Sequence, residues 1–229
     1  MALRKISHMT EAEHLMVTRA VAACEEHTDG EIVTIVTDSS DTYHDIALIW
    51  ASGAAFLVLA IAAMVPNFFV DIADRLIGGW GHVFTAGEYA AMIFIGMALT
   101  AIGVYLALKW TPLRMILTPK PVKTRRVQAR ALQLFKVGAE SRTIAHTGIL
   151  IFLSMREHRA EIIADAAIAA KVAPEIWGDA MLALIEKVRA GAPGEGMAAA
   201  VEQVGAVLIE HFPKSGENPN ELPDRLIEI

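Results

Sequence analysis

At 229 residues and 54% hydrophobic composition, with a mean hydropathy of +0.43, the chain is too apolar for an ordinary soluble globule and points to membrane-embedded segments. Its net charge of −6 and pI near 5.7 argue against a nucleic-acid partner, which would call for a basic face. The single cysteine, Cys24, excludes an internal disulfide and fits a reducing compartment.

Residues 1–13 hold Arg4 and Lys5 with no apolar stretch behind them, so they do not read as a secretory signal. Thr10 and Glu13 have the T-x-x-E spacing of a capping box. The helix they open is expected to run to about His27, with Leu15, Met16, Ala20 and Ala23 as its apolar face. Asp29-Gly30 is a stop and turn. The β-branched run from Ile32 to Val36 (IVTIV) then predicts a buried strand.

Residues 46–65 (IALIWASGAAFLVLAIAAMV) and 89–108 (YAAMIFIGMALTAIGVYLAL) contain no charge, and each is long enough to cross a bilayer core. Aromatic residues stand near their ends: Trp50 and Phe68-Phe69 for the first, Tyr89 and Trp110 for the second. Gly96, Thr100, Gly103 and Ala107 place small residues on one face of the second segment, where a partner helix could approach. Residues 109–130 carry seven Lys or Arg and no acid, whereas the loop 66–88 has Arg75 alone against Asp71, Asp74 and Glu88. The positive-inside rule therefore puts the basic run in the cytoplasm, and the hairpin returns both termini to that side. The basic run reads first as a topology signal; contact with anionic lipid heads is a second reading.

Beyond the hairpin, residues 124–139 predict an amphipathic helix with Val127, Ala131, Leu134 and Phe135 inward. Residues 148–153 (GILIFL) and 160–164 (AEIIA) predict two strands joined as an antiparallel hairpin. Two helices follow. Pro174 opens the first, whose apolar face includes Trp177, Met181, Leu184 and Val188; Pro193-Gly194 separates it from the second, with Met197, Val201, Val204 and Leu208 inward. Gly194-Glu195-Gly196 reads as a turn rather than a phosphate loop, because no strand precedes it.

The expected fold is thus an α/β domain: a small mixed β-sheet with helices on its faces, interrupted by a two-helix transmembrane hairpin. Its N-terminal part spans 1–45, the hairpin 46–110 and the C-terminal part 111–213, with 214–229 as an irregular tail. The strands before and after the hairpin should pair in parallel through a helical crossover. Neither half has enough strands to fold alone.

The strand GEIVTIVTD (30–38), the hairpin TGILIFLSMREHRAEIIAD (147–165) and the paired C-terminal helices resemble the TPM-domain family, which includes a thylakoid lumen protein of photosystem II repair. The stretches EIIADAAIAAKVAPEIW (161–177) and HFPKSGENPNELPD (211–224) resemble bacterial membrane members whose domain is split by a transmembrane hairpin. The resemblance covers most of residues 10–224. It implies divalent-cation binding, of Ca²⁺ or Mg²⁺, and for some members acid phosphatase activity. The chain departs from the family where G-x-G-x-E is usual, having Asp165-Ala166-Ala167-Ile168 instead.

Asp38, Asp41 and Asp45 are candidate oxygen ligands for a hard cation, or a solvated acidic linker. Asp165 is the other candidate metal ligand, or a helix cap. Parallel pairing of the first two strands sets Asp38 and Asp165 at opposite ends of the sheet, so they belong to separate sites. Glu31 or His146 would assist Asp165, and Ser154 or Glu157 would assist Asp38. No hydrolase motif is present, and the histidines are scattered without ligand spacing. Two functions follow as expectations. One is a membrane protein presenting a cytoplasmic, non-catalytic binding domain to another membrane or envelope protein, as an assembly or quality-control accessory. The other is a divalent-cation-dependent phosphatase at the membrane face.

Overall fold

The computed structural model describes residues 9–65, 67–77, 85–138, 147–215 and 224–229, and divides the chain into two compact units. Met1–Asp41 and Lys120–Ile229 form one; Thr42–Pro119 form the other.

In the first unit the two continuous apolar runs become neighbouring strands, β1 (Glu31–Thr37) and β2 (Gly148–Ser154), paired in parallel with Glu31 opposite Gly148 and Thr37 opposite Ser154. β3 (Arg159–Ala164) turns back antiparallel on β2. The halves before and after the insertion thus build one sheet. Side chains alternate across it. Ile32, Val36, Ile149, Ile151 and Leu153 face a core shared with α1 (Glu11–Glu25), α8 (Trp177–Arg189) and α9 (Pro193–His211). Val33, Ile35, Leu150 and Phe152 face Val127, Ala131 and Phe135 of α6 (Lys120–Gly138). Burial on both faces explains why neither strand shows polar alternation in sequence. The short α7 (Ala166–Ala169) and a 3₁₀ turn, Pro174–Ile176, link β3 to α8.

Three expectations are corrected here. The tail is not wholly irregular: Ile227–Glu228 forms β4, parallel to β1, giving the order β3-β2-β1-β4. A two-residue strand carries no periodic signal, but it covers part of an otherwise open sheet edge. α1 turns a different face inward: Val17, Val21 and Cys24 are buried, while Leu15, Met16 and Ala23 are exposed. Gly194-Glu195-Gly196 is the first turn of α9. Its glycines admit close neighbours, since a Cβ at Gly194 would lie 2.5 Å from the Glu13 Cβ and one at Gly196 would lie 2.9 Å from the Leu184 carbonyl.

In the second unit, α2 (His44–Met64) and α4 (Ala86–Ala107) are each long and apolar enough to cross a membrane. They pack antiparallel, the Tyr89 hydroxyl near the start of α4 donating to the Ala62 carbonyl near the end of α2 (3.2 Å). Thr85 and Glu88 form a capping box that opens α4. Gly96 sits against Val58 and Phe69, but Gly103 and Ala107 are exposed, so the small-residue face meets its partner only over its first half. The connection 66–88, expected as a loop, contains the helix α3 (Asn67–Ile77), with Phe68, Phe69 and Ile72 set among Asp71, Asp74 and Arg75. α5 (Thr111–Leu117), expected with the C-terminal part of the α/β domain, belongs to this second unit.

Candidate functional site

The two candidate acids lie at opposite ends of the sheet, as the strand directions require. Beyond the C-terminal ends of β1 and β2 a polar knot forms. The hairpin turn after β2 crosses toward the end of β1, with Met155 N–H donating to the Thr37 carbonyl and Arg156 N–H to the Asp38 carbonyl, each at 3.0 Å. His158 closes the turn in the left-handed region (φ 48°). This geometry carries the Arg156 guanidinium onto the Asp38 carboxylate in a two-pronged pair, Nε to Oδ1 at 2.8 Å and Nη2 to Oδ2 at 2.6 Å. Asp41 is met by Arg126 of α6, whose Nη1 donates to Oδ2 at 2.7 Å. Asp45, the third acid of the expected cluster, lies on α2 in the other unit.

Buried Glu157 organises the knot. Its Oε1 accepts from the Ser40 N–H (2.9 Å), the Ser40 hydroxyl (3.0 Å) and the Ser39 hydroxyl (3.3 Å), while the Ser154 hydroxyl donates to Oε2. The Ser39 hydroxyl also reaches the Asp41 carbonyl (2.8 Å). Glu157 therefore ties the segment after β1 to the β2–β3 turn. Ser154 and Glu157, expected near Asp38, bond to one another and to the serines.

At the other end Asp165 is buried and caps α7. Its Oδ1 accepts from the Ala166 N–H at 2.8 Å, and its carbonyl accepts from Ile168 and Ala169. The Asp165 N–H donates to the Gly148 carbonyl, which places the residue two strands from Glu31, about 10 Å at ordinary strand spacing. His146 lies outside the described residues. Among the described residues no three His, Cys, Asp or Glu side chains converge as a bound cation would require.

The same end holds a group that no local sequence pattern marks. Glu25, in the last turn of α1, is buried, and its Oε1 accepts from the Ile32 N–H at 2.8 Å. It thereby covers the edge of β1, whose other end is covered by β4, where the Ile229 N–H donates to the Val36 carbonyl (3.0 Å). Glu25 Oε2 is buried without a donor, and the carboxyls of Glu31 and Asp224 lie close by. Burial first, then those two neighbours, push the Glu25 carboxyl up to about 8 against the opposing pull of the Ile32 N–H. A proton on Glu25 allows it to bond Asp224, so the acid and the C-terminal segment are joined through that proton. The Lys214 ammonium donating to the Glu25 carbonyl (3.0 Å) fastens the start of the same tail.

No family model matches the chain, and neither does any curated protein sequence. Among solved structures the chain is similar to the NMR structure of BA42 protein from the psychrophilic bacterium Bizionia argentinensis, with a TM-score of 0.56, 14% identity and 99% of each chain covered. At that identity the likeness is one of fold.

Proposed function

We propose that the chain is an integral membrane protein in which a transmembrane hairpin carries a TPM-like α/β domain on the cytoplasmic face. There the domain acts as a non-catalytic binding or assembly module for another membrane or envelope protein. One observation carries the anchor: the most apolar stretch of α4 has none of its residues buried, and that of α2 only 22%. The core helix of a soluble protein would bury most of such a surface. Leu57, Phe56, Phe94 and Leu99 instead point outward, a continuous apolar surface that water would not tolerate. α3, amphipathic and adjoining α2 in the chain, suits the membrane–water interface. The orientation rests on the basic residues between 109 and 130.

The preference for binding over catalysis rests on how the carboxylates are used. Asp38 and Asp41 are paired with arginines, Glu157 is held by serines, and Asp165 caps a helix. A phosphatase would need such groups presented to substrate. The purified full chain should therefore show no Ca²⁺- or Mg²⁺-dependent hydrolysis of p-nitrophenyl phosphate above an empty-vector preparation. Robust turnover that disappears in Asp165→Asn or Asp38→Asn would reverse the assignment in favour of a membrane-face phosphatase.

A further inference from the structure

Gly194 lies beside Glu13 and Gly205 beside Cys24, so α1 and α9 run in the same direction, side by side. Each turns one face into the core. A second face, on the solvent side, forms a groove between them, walled on α1 by Leu15, Met16 and Arg19 and on α9 by Ala198, Ala199 and Glu202. Leu15 and Met16, the largest apolar side chains of α1, are 51% and 42% exposed there, while Val17 and Val21 take the core. Two large apolar residues side by side on a surface groove mark an interaction site more readily than scattered ones do.

The two walls differ in kind and match in spacing. The α1 wall is bulky and basic; the α9 wall is small and acidic. Positions 15, 16 and 19 on one helix repeat the intervals of 198, 199 and 202 on the other, so each wall presents its two apolar residues and then its charge in the same order. Neither Arg19 nor Glu202, exposed at the rim, makes a hydrogen bond or ion pair with a described residue. Glu195, at the start of α9, is already met by Lys187 at 3.0 Å.

A two-fold axis along the groove lays the α1 wall of one copy on the α9 wall of another. Leu15 and Met16 then cover the partner's small residues, Ala198 and Ala199, and Arg19 meets Glu202, each contact occurring twice. A surface complementary to itself in both shape and charge is what an isologous contact requires. A partner of one sign of charge would satisfy one wall and be repelled by the other. We propose that the α1–α9 groove is the interface of a reversible dimer, its occupant being the same groove of a second copy of this chain. The proposal goes beyond the binding role above and holds whether or not the module also meets another protein.

Sedimentation equilibrium of the full chain in neutral detergent tests it. The parent should associate to a dimer in the micromolar range. Arg19→Glu and Glu202→Arg should each weaken association roughly tenfold, as two exposed charge pairs become two repulsions. Mixed in equal amounts, the two variants should recover parent-like association, because the native charges left on each chain meet one another and so do the two introduced ones. Leu15→Glu should leave a monomer, with an unchanged melting temperature when compared at dilutions where the parent is also monomeric.

A parent that stays monomeric at every concentration would overturn the proposal, leaving the groove to a different protein or to the membrane surface. A dimer indifferent to Leu15→Glu and to both charge variants would overturn it too, since the copies would then meet elsewhere. So would a mixture that associates no better than either variant alone. Should Leu15→Glu fail to fold, the mixing result decides by itself. A monomeric parent removes the second copy as partner and leaves the reading of a binding module for another protein standing.

Discussion

Glu25→Gln should make the protein more stable at pH 8 by about 1–3 kcal/mol and leave it unchanged near pH 4.5. The sign follows from the proton. In the unfolded chain Glu25 ionises around its ordinary value of 4.5, and in the folded chain only around 8. Below 4.5 both states hold the proton, so the group costs nothing. Between the two values the unfolded state gains by releasing a proton that the folded state keeps, and stability falls until the folded pKa is passed. The full difference would reach about 4–5 kcal/mol at pH 8, and structure retained in the unfolded chain together with partial solvent screening brings the expected gain down to about 1–3 kcal/mol. Glutamine accepts from the Ile32 N–H as glutamate does, and its amide donates toward Asp224 without a titrating proton. Melting curves of the full chain across pH 4.5–9 should converge at the acid end and separate by roughly 3–10 °C at the alkaline end. Parallel curves would show that Glu25 is ionised throughout and paired by other means.

The second large effect concerns a close approach of α1 and α9. Helix propensity alone predicts that Gly205→Ala, in the middle of α9, gains about 1 kcal/mol. The packing predicts the opposite. A Cβ at 205 would overlap the Cys24 Sγ and come within 3.0 Å of the Cys24 Cβ, in a core where α1 and α9 are locked by Val17, Val21, Val201 and Val204. The overlap forces the helices apart, at a cost of about 1–3 kcal/mol that reverses the propensity gain. In a Cys24→Ala background the sulfur is gone, and Gly205→Ala should cost much less. A double-mutant cycle should therefore return a coupling of roughly 1 kcal/mol or more. Additive effects would mean that the two helices are not in contact at this point.

Both predictions involve residues that the sequence did not bring forward, and the reason is physical. The strands were legible because β-branched runs bounded by Gly30 and Ser154 have few alternatives. The β2–β3 hairpin was legible because its turn is short and polar. The inward face of α1 is hidden in the sequence because Leu15 and Met16 are larger and more apolar than the buried Val17 and Val21. What decides the face is the close approach to α9, which accepts small β-branched side chains and Cys24 but leaves Leu15 outside. Glu25 carries no such signal, since an acid in a last helical turn is ordinarily solvated. Its burial is a consequence of β1 returning alongside α1 with an edge N–H to satisfy, and no local pattern encodes that.

The acids near Asp38 were visible as a cluster. Their arginine partners come from positions 126 and 156, some 85 and 118 residues away, so the pairing was not. Asp165 illustrates the reverse case. Ligand and cap were both readable from an aspartate followed by Ala166 to Ile168, and the structure places it as the cap.

On the proposed reading a transmembrane hairpin is inserted within the α/β domain, and the two halves return to one side of the membrane for β1 to pair with β2. Cysteine labelling with an impermeant maleimide on intact cells tests this most directly, because the native Cys24 is buried and stays silent. Asp71→Cys, on exposed α3, should label from outside. Arg19→Cys and Arg189→Cys, exposed on the first and second halves of the α/β unit, should label only after permeabilisation. Labelling of either half from outside, or of all three positions alike, would contradict the account.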